Sequence, residues 1–118
     1  MTPPRRGEID LVEFNPTRGY EIQKTRPALI IQNDIGNKHS PVTIVAAITS
    51  SFSHTPHPVE VIVTPTKENG LTSVSAIKLG QIRSVDRQRL VKRVGVVDAA
   101  MIRKVDEALK ISLGLVDF

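Results

Sequence analysis

The sequence predicts a mainly β fold with one C-terminal α-helix, arranged as a small, strongly curved antiparallel barrel with the helix packed on it. Three observations carry this. Short segments rich in Val and Ile recur from Ile9 to Val94, bounded by Pro, Gly, Asn or Ser. Several of them alternate apolar with polar side chains, the period of a half-buried strand. Only after Asp98 does the spacing become helical, with Ile102, Val105, Leu109 and Leu113 at intervals of 3, 4 and 4.

Ile9–Phe14 alternates loosely and reads as the first strand. Asn15–Thr25, NPTRGYEIQKT, is a long polar loop punctuated by Pro16 and Gly19. Arg26–Gln32 is a second strand, and its run Ala28, Leu29, Ile30, Ile31 is too apolar for an exposed position. Asn33–Pro41 is a turn-rich connector that Asn33 and Asp34 can cap. Val42–Ile48, rich in β-branched residues, is a third strand. A Ser/Thr/His/Pro loop, Thr49–Pro58, leads to a fourth strand, Val59–Val63. After the turn Pro65–Gly70 comes a fifth, Ser73–Leu79. Gln81–Val85 continues with polar alternation, and Leu90–Val94 follows a basic turn, DRQR. Asp98 is a good helix N-cap, Asp106 and Lys110 form an i,i+4 pair in the favourable order, and the helix ends near Gly114. There is no internal repeat or low-complexity tract, so residues 1–118 read as a single domain.

A chain of 118 residues builds only a modest core. With 40% hydrophobic and 24% charged residues it has ordinary soluble composition. A net charge of +4 favours a polyanionic partner. The absence of cysteine excludes disulfides, thiolate metal sites and a cysteine nucleophile. MTPPRRGEID lacks the apolar core of a secretory signal, and no apolar run approaches the roughly 18 residues of a membrane span. A cytoplasmic protein with no membrane partner is expected. The aromatics Phe14, Tyr20, Phe52 and Phe118 are too few for an extended base-stacking platform. His54 and His57 lie three apart in a Pro-flanked loop without further ligands; they and His39 read as loop residues, and no metal site is expected.

The stretch KTRPALIIQND, Lys24–Asp34, sets Arg26 where the polar loop meets the buried strand. An arginine there is a fixed charge with a planar donor fork, suited to phosphate. Around it, RRGEIDLVEFNPTRGYEIQKTRPALIIQND, VAAITS (Val45–Ser50), GQIRSVDRQRL (Gly80–Leu90) and VDEALKISLGLVDF resemble the MazF/PemK toxins, the C-terminal block being closest to the Gram-positive type. The front motif combines a G-[DE]-[IV] start, an N-P-T loop, G-x-E, and K-x-R-P before a buried strand.

This resemblance implies an SH3-like, plasmid-maintenance-toxin barrel and a homodimer with RNA in a groove across its interface. It implies the toxin of a type II toxin–antitoxin pair, a ribosome-independent endoribonuclease. Single-stranded RNA would be cut at a short sequence without metal or cofactor, leaving a 2′,3′-cyclic phosphate and a 5′-hydroxyl. The partner would be a MazE-like antitoxin whose disordered C-terminal peptide fills the same groove.

The family's catalytic pair maps onto Arg26 and Thr49, each at the end of an expected strand. If those strands are antiparallel neighbours, both side chains meet at one rim. RNA brings its own nucleophile, the 2′-hydroxyl, so the protein must orient the sugar and stabilise charge on the phosphorane. Arginine, with a pKa above about 12, is a poor base. Glu21 is either a candidate base or an organiser of its loop. The segment with Arg18, Gly19, Tyr20, Glu21, Gln23 and Lys24 reads as a gate over the RNA, and Ser50 and Ser51 follow Thr49 as further RNA contacts. Tyr20 departs from the common G-S-E pattern; it stacks a base or is an exposed loop tyrosine. Gln81 and Arg83 fit base-edge and phosphate contacts, or a polar strand face near the dimer contact. The run DRQRLVKR, with four basic residues, reads as a solvated face or the groove's outer edge. Three rival readings are weaker. The gyrase-poisoning branch depends on a Trp-Gly-Ile ending, whereas this chain ends LVDF and has no Trp. A non-catalytic RNA- or protein-binding barrel would leave the Arg26 and Thr49 contexts unexplained. An antitoxin or transcription factor would need a helix-turn-helix pair.

Overall fold

The computed structural model describes residues 2–21, 24–53, 55 and 57–117. Gln23, His54 and Phe118 lie outside the described residues. In chain order the elements are β1 (Glu8–Glu13), β2 (Thr25–Ile30), α1 (Asp34–His39), β3 (Val42–Thr49), β4 (Glu60–Val63), β5 (Ser75–Asp86), a 3₁₀ turn (Arg87–Arg89), β6 (Leu90–Val96) and α2 (Ala99–Ser112). The strands form one antiparallel six-stranded sheet in the order β4-β5-β3-β2-β1-β6.

The apolar run of β2 is explained by burial on both faces of the sheet. Leu29 and Ile31 pack with Ile9, Ile48 and Ile77 beneath Val105 and Ala108 of α2. Ala28 and Ile30 pack on the opposite face with Val12, Phe14, Val45 and Val85.

The sequence suggested a strand ending at Leu79 with a separate continuation. The structure has a single strand, β5, twelve residues long. Between the pairs Ala46↔Ile82 and Ile48↔Ile77, β5 advances five residues while β3 advances two. The excess around Gly80 is absorbed as an irregularity that bends the strand without breaking it.

The sheet is barrel-like but not closed by a ladder, since β4 and β6 are its two edges. Part of the gap is filled by the turn before Gly70. Val96 N–H donates to the Glu68 carbonyl at 2.9 Å. A Cβ on Gly70 would lie 2.3 Å from the Val94 oxygen, and one on Gly95 would lie 2.4 Å from the Glu68 oxygen. Only glycine permits this approach.

Three local expectations need correction. Asn33–Pro41 is not simply a turn-rich connector: it contains α1, and His39 is the last residue of that helix. Gly36 and two asparagines mask the helix in the sequence. Asn33 caps it, accepting from Gly36 N–H at 2.7 Å, as its type suggested. The buried Asn37 then ties the helix to its surroundings: its Oδ1 accepts from Thr43 Oγ1 at 2.6 Å, and its Nδ2 donates to the Gln32 carbonyl at 3.0 Å. In α2, Asp98 caps as expected and Gly114, at φ +72°, follows the helix end. Leu113, however, is 56% exposed, while Val105 and Ala108 are buried. The expected Asp106–Lys110 pair is also absent. Asp106 meets Arg6 at 2.6 Å, and Lys110 turns to Glu107 at 3.2 Å. Arg6 wins because its Nε is already held by the Ile31 carbonyl at 2.9 Å, whereas a lysine ammonium must be immobilised first.

Asp10 of β1 is buried, and its Oδ1 has no hydrogen-bond partner among the described residues. Burial pushes its pKa up, Glu8 adds to the rise, and Arg93 opposes it. Protonation of Asp10 therefore favours the folded state. That contribution is fully present below the unfolded pKa and is lost as the pH rises through the folded one. Asp10→Asn is expected to stabilise the protein by about 1 kcal/mol at pH 7. The gain should fade as the pH falls through the raised folded pKa and be gone below the unfolded value of about 4. Denaturant titrations of both proteins across this range test it; an Asn variant less stable at pH 7 would contradict the assignment.

Candidate nucleic-acid interface

β2 and β3 pair antiparallel with Ala28 opposite Ala47. The same register carried two residues further sets position 26 opposite position 49. The two sequence-predicted residues thus occupy one rim, where β2 enters the sheet and β3 leaves it. Arg26 is half-buried and Thr49 buried. Thr49 Oγ1 accepts from Ser51 N–H at 3.0 Å, and its own proton makes a longer contact of 3.3 Å to the Ser51 carbonyl. The oxygen is anchored while the proton is only weakly held.

Two cavities flank this rim. The first, about 410 Å³, is lined by Phe14, Tyr20, Glu21, Ala47, Gln81 and Arg83 among others. The second, about 640 Å³, includes Arg26, Ile48 and Ser50. Along β3 the first takes Ala47, the second Ile48 and Ser50, and Thr49 falls between them in sequence. Arg18, Gly19, Lys24 and Ser51 are exposed and line neither cavity.

The gate loop has a fixed neck. Glu13 accepts from Asn15 N–H at 2.8 Å and from Thr25 Oγ1 at 3.0 Å. These bonds, the Asn15 one foremost, hold the Glu13 carboxyl below the usual carboxylate range. Asn15 Oδ1 accepts from Lys24 N–H at 3.1 Å, and Phe14 N–H donates to the Lys24 carbonyl at 3.0 Å. Lys24 itself has φ +71°.

Nearer the tip, Glu21 Oε1 accepts from Arg18 N–H at 2.8 Å while Glu21 N–H donates back to the Arg18 carbonyl at 3.1 Å. Glu21 therefore orders its loop and also faces the first cavity. Tyr20 is fully exposed at the rim of that cavity.

Two arginines brace the neck, Arg83 from β5 and Arg89 from the turn that leads into the neighbouring β6. Arg83 Nη1 donates to the Phe14 carbonyl at 3.2 Å, and its guanidinium carbon sits 5.7 Å from the centre of the Phe14 ring. Arg89 Nη1 donates to the Glu13 carbonyl at 3.0 Å and also to that of Asn15. The expected solvated face is thus wrong for Arg89. Sequence reasoning missed it because nothing distinguishes it from the other basic residues of its run; only the 3₁₀ turn aims it at β1. Phe14 was noted only as a scarce aromatic, yet it is buried at the floor of the first cavity.

His57 is exposed. Among the described residues no three His, Asp or Glu side chains gather where they could hold a metal ion, and no helix is long and apolar enough to cross a membrane.

The architecture is that of the MazF proteins. The crystal structure of MazF from Deinococcus radiodurans superposes with a TM-score of 0.81 at 25% identity, over 97% of this chain and 99% of that one. A mycobacterial endoribonuclease solved with its cognate antitoxin shares the fold with a TM-score of 0.77 at 23% identity, over 98% and 99% of the two chains. Residues 5–113 match the family described as PemK-like, MazF-like toxins of type II toxin–antitoxin systems, and the chain belongs to that family. Endoribonuclease EndoA of Bacillus subtilis is 45% identical over 97% of both chains. Endoribonuclease MazF of Staphylococcus epidermidis is 42% identical over 97% of this chain and 94% of its own.

Arg89→Ala is expected to release the neck. It should lower stability by about 2 kcal/mol and open the Asn15–Lys24 loop to proteases. Limited proteolysis beside a denaturant titration tests this; a loop as resistant as in the parent would mean the neck holds without Arg89.

Proposed function

We propose that this chain is an endoribonuclease toxin that cuts single-stranded RNA at a short sequence, inhibits translation, and is held in check by a MazE-like antitoxin peptide. The observation that carries this is the β2–β3 register, which, carried on from Ala28↔Ala47, brings Arg26 and Thr49 to one rim beside the two cavities. Family membership and the names of the similar proteins support it. The working state is a homodimer whose groove takes RNA or the antitoxin's disordered segment, and the protein works in the cytoplasm as a single domain.

The RNA supplies the nucleophile. A base takes the proton of the 2′-hydroxyl, whose oxygen attacks the adjacent phosphorus. The bond to the 5′-oxygen breaks and that oxygen leaves with a proton. The products are a 2′,3′-cyclic phosphate and a 5′-hydroxyl, and no metal takes part. Arg26 offers its donor fork to the non-bridging oxygens as charge builds there. Thr49 redirects its weakly held proton to the same phosphate while Ser51 N–H fixes the oxygen.

Glu21 is the candidate base, since it lines the first cavity. Gln81 and Tyr20 line that cavity and are placed to meet a base by its edge and its face. Arg83, engaged with Phe14, serves first as a wall. The exposed Arg18, Gly19, Lys24, Ser50 and Ser51 bring the loop and the end of β3 against the RNA backbone, and Gln23 is assigned with them.

Arg26→Ala is expected to abolish cleavage of a long single-stranded RNA in EDTA while the protein stays folded. Thr49→Ala should lower the rate roughly 10²-fold with little loss of RNA binding. The measurement is end-mapping of the products with a test for the cyclic phosphate. Wild-type protein that binds this RNA and leaves it intact would make the chain a binding barrel and overturn the enzymatic reading.

A further inference from the structure

The cavity beside Arg26 differs from its neighbours in charge. Its wall carries Arg26, Lys92 and Arg93, and no carboxylate lines it among the described residues. The first cavity includes Glu21, and the cavity on the other side of Lys92 includes Glu8 and Asp10. The same cleft is lined by the hydroxyl residues Ser50, Thr72, Ser73 and Ser75, of which Ser75 already donates to the Ser73 carbonyl at 2.9 Å; such hydroxyls can donate to an anion at no cost in charge.

Lys92 is exposed, and its ammonium makes no hydrogen bond or ion pair among the described residues. Arg93 is partly engaged, 3.4 Å from Glu8. Lys92 is therefore the cation of this cleft with the least to give up.

The hydroxyl wall is preorganised. Buried Asn69 accepts from the N–H groups of Thr66 at 2.9 Å and Leu71 at 3.0 Å, and donates to the Thr64 carbonyl at 3.0 Å. The close approach of Gly70 to Val94 presses the same turn against β6. Leu71, Thr72 and Ser73 leave this turn directly into the cleft.

We propose that the cleft between β6 and Leu71–Ser73 is a phosphate subsite, with Lys92 as its principal cation, that holds a phosphodiester next to the one being cut. The inference rests on the endoribonuclease reading, since it takes Arg26, at the rim end of the cleft, to sit on the scissile phosphate. RNA is favoured over an acidic peptide because the cleft and the Arg26 rim are continuous, and a single chain of phosphates satisfies both.

The test uses an RNA carrying the mapped cleavage site, made uncleavable by 2′-O-methylation at the scissile ribose. Neutral methylphosphonates replace the neighbouring phosphates one at a time. Binding of wild type, Lys92→Ala and Lys92→Arg is measured across a salt series, with kcat and KM on the unmodified RNA. Lys92→Ala should weaken binding about 5–10-fold and reduce the salt slope by about 1. KM should rise with kcat nearly unchanged, and Lys92→Arg should restore most of the loss. A methylphosphonate at one neighbouring position should weaken the wild type by a similar factor and leave Lys92→Ala indifferent.

Unchanged affinity and slope in Lys92→Ala would overturn the subsite, as would equal sensitivity of both proteins at every position. Loss of binding to an acidic antitoxin peptide but not to RNA would reassign the cleft to the peptide. Wild type that neither binds nor cuts RNA would instead overturn the endoribonuclease reading itself, whatever Lys92→Ala does.

Discussion

Burial of β2 on both faces is the constraint from which the rest of the molecule follows. A strand with one dry face can slip by a residue and merely exchange core for solvent. Here a slip would press Leu29 against Phe14 and leave Ala28 beneath α2, so both layers would misfit at once. Register is therefore fixed by size as well as polarity. Ala28 and Ala47, small and opposed, leave the depression that the first cavity occupies. Where the apolar run begins, the chain has just emerged from the loop, and Arg26 is the residue caught at that boundary. Its position follows from core packing two residues away.

The second dependence is between turns and strands far apart in sequence. Arg89 reaches the carbonyls of Glu13 and Asn15 from the turn before β6, and Arg83 covers Phe14. The loop before Arg26 is thus rigid at its neck, while its tip is closed mainly by Arg18 and Glu21 on each other. If the loop is the gate proposed above, a braced neck keeps the rim in place where positioning matters. On the far side, the glycine contacts of the Gly70 turn with β6 do the same for the hydroxyl wall. The cleft between these braces is lined by cations and no carboxylate among the described residues, Glu8 engaging Arg93 from the neighbouring cavity.

Much of this was legible in the sequence because it depends on short-range pattern. The strands announced themselves by apolar runs and β-branched residues, α2 by Asp98 and its spacing, and the rim by KTRP before a buried strand. The features that escaped depend on partners distant in the chain. Nothing near Asp34–His39 shows that Thr43 and Gln32 will satisfy Asn37 and hold a helix that its own residues favour weakly. Asp106 has Lys110 one turn away, but its actual partner, Arg6, lies 100 residues earlier. Arg89 is one of four cations in a short run, and its role exists only after a 3₁₀ turn aims it. The openness of the sheet was equally invisible, because alternation specifies faces and says nothing about which edges meet.

An enzyme whose substrate carries its own nucleophile needs little reactive chemistry from its side chains, and on the proposed mechanism this chain supplies accordingly little. Its demand is geometric: two donors must meet one phosphate, and the adjoining chain must be held in line with it. Strand ends meet that demand well. Arg26, half-buried, and Thr49, buried, are each held on one side by a hydrogen-bonded ladder, so their backbones are fixed where strand meets loop. A loop alone would give the donors without the fixity, and a strand interior would give the fixity with the donors buried. The rim where a doubly buried strand begins and its antiparallel neighbour ends lies between these extremes, and the same packing that forbids β2 to slip keeps the two residues at one end of the sheet.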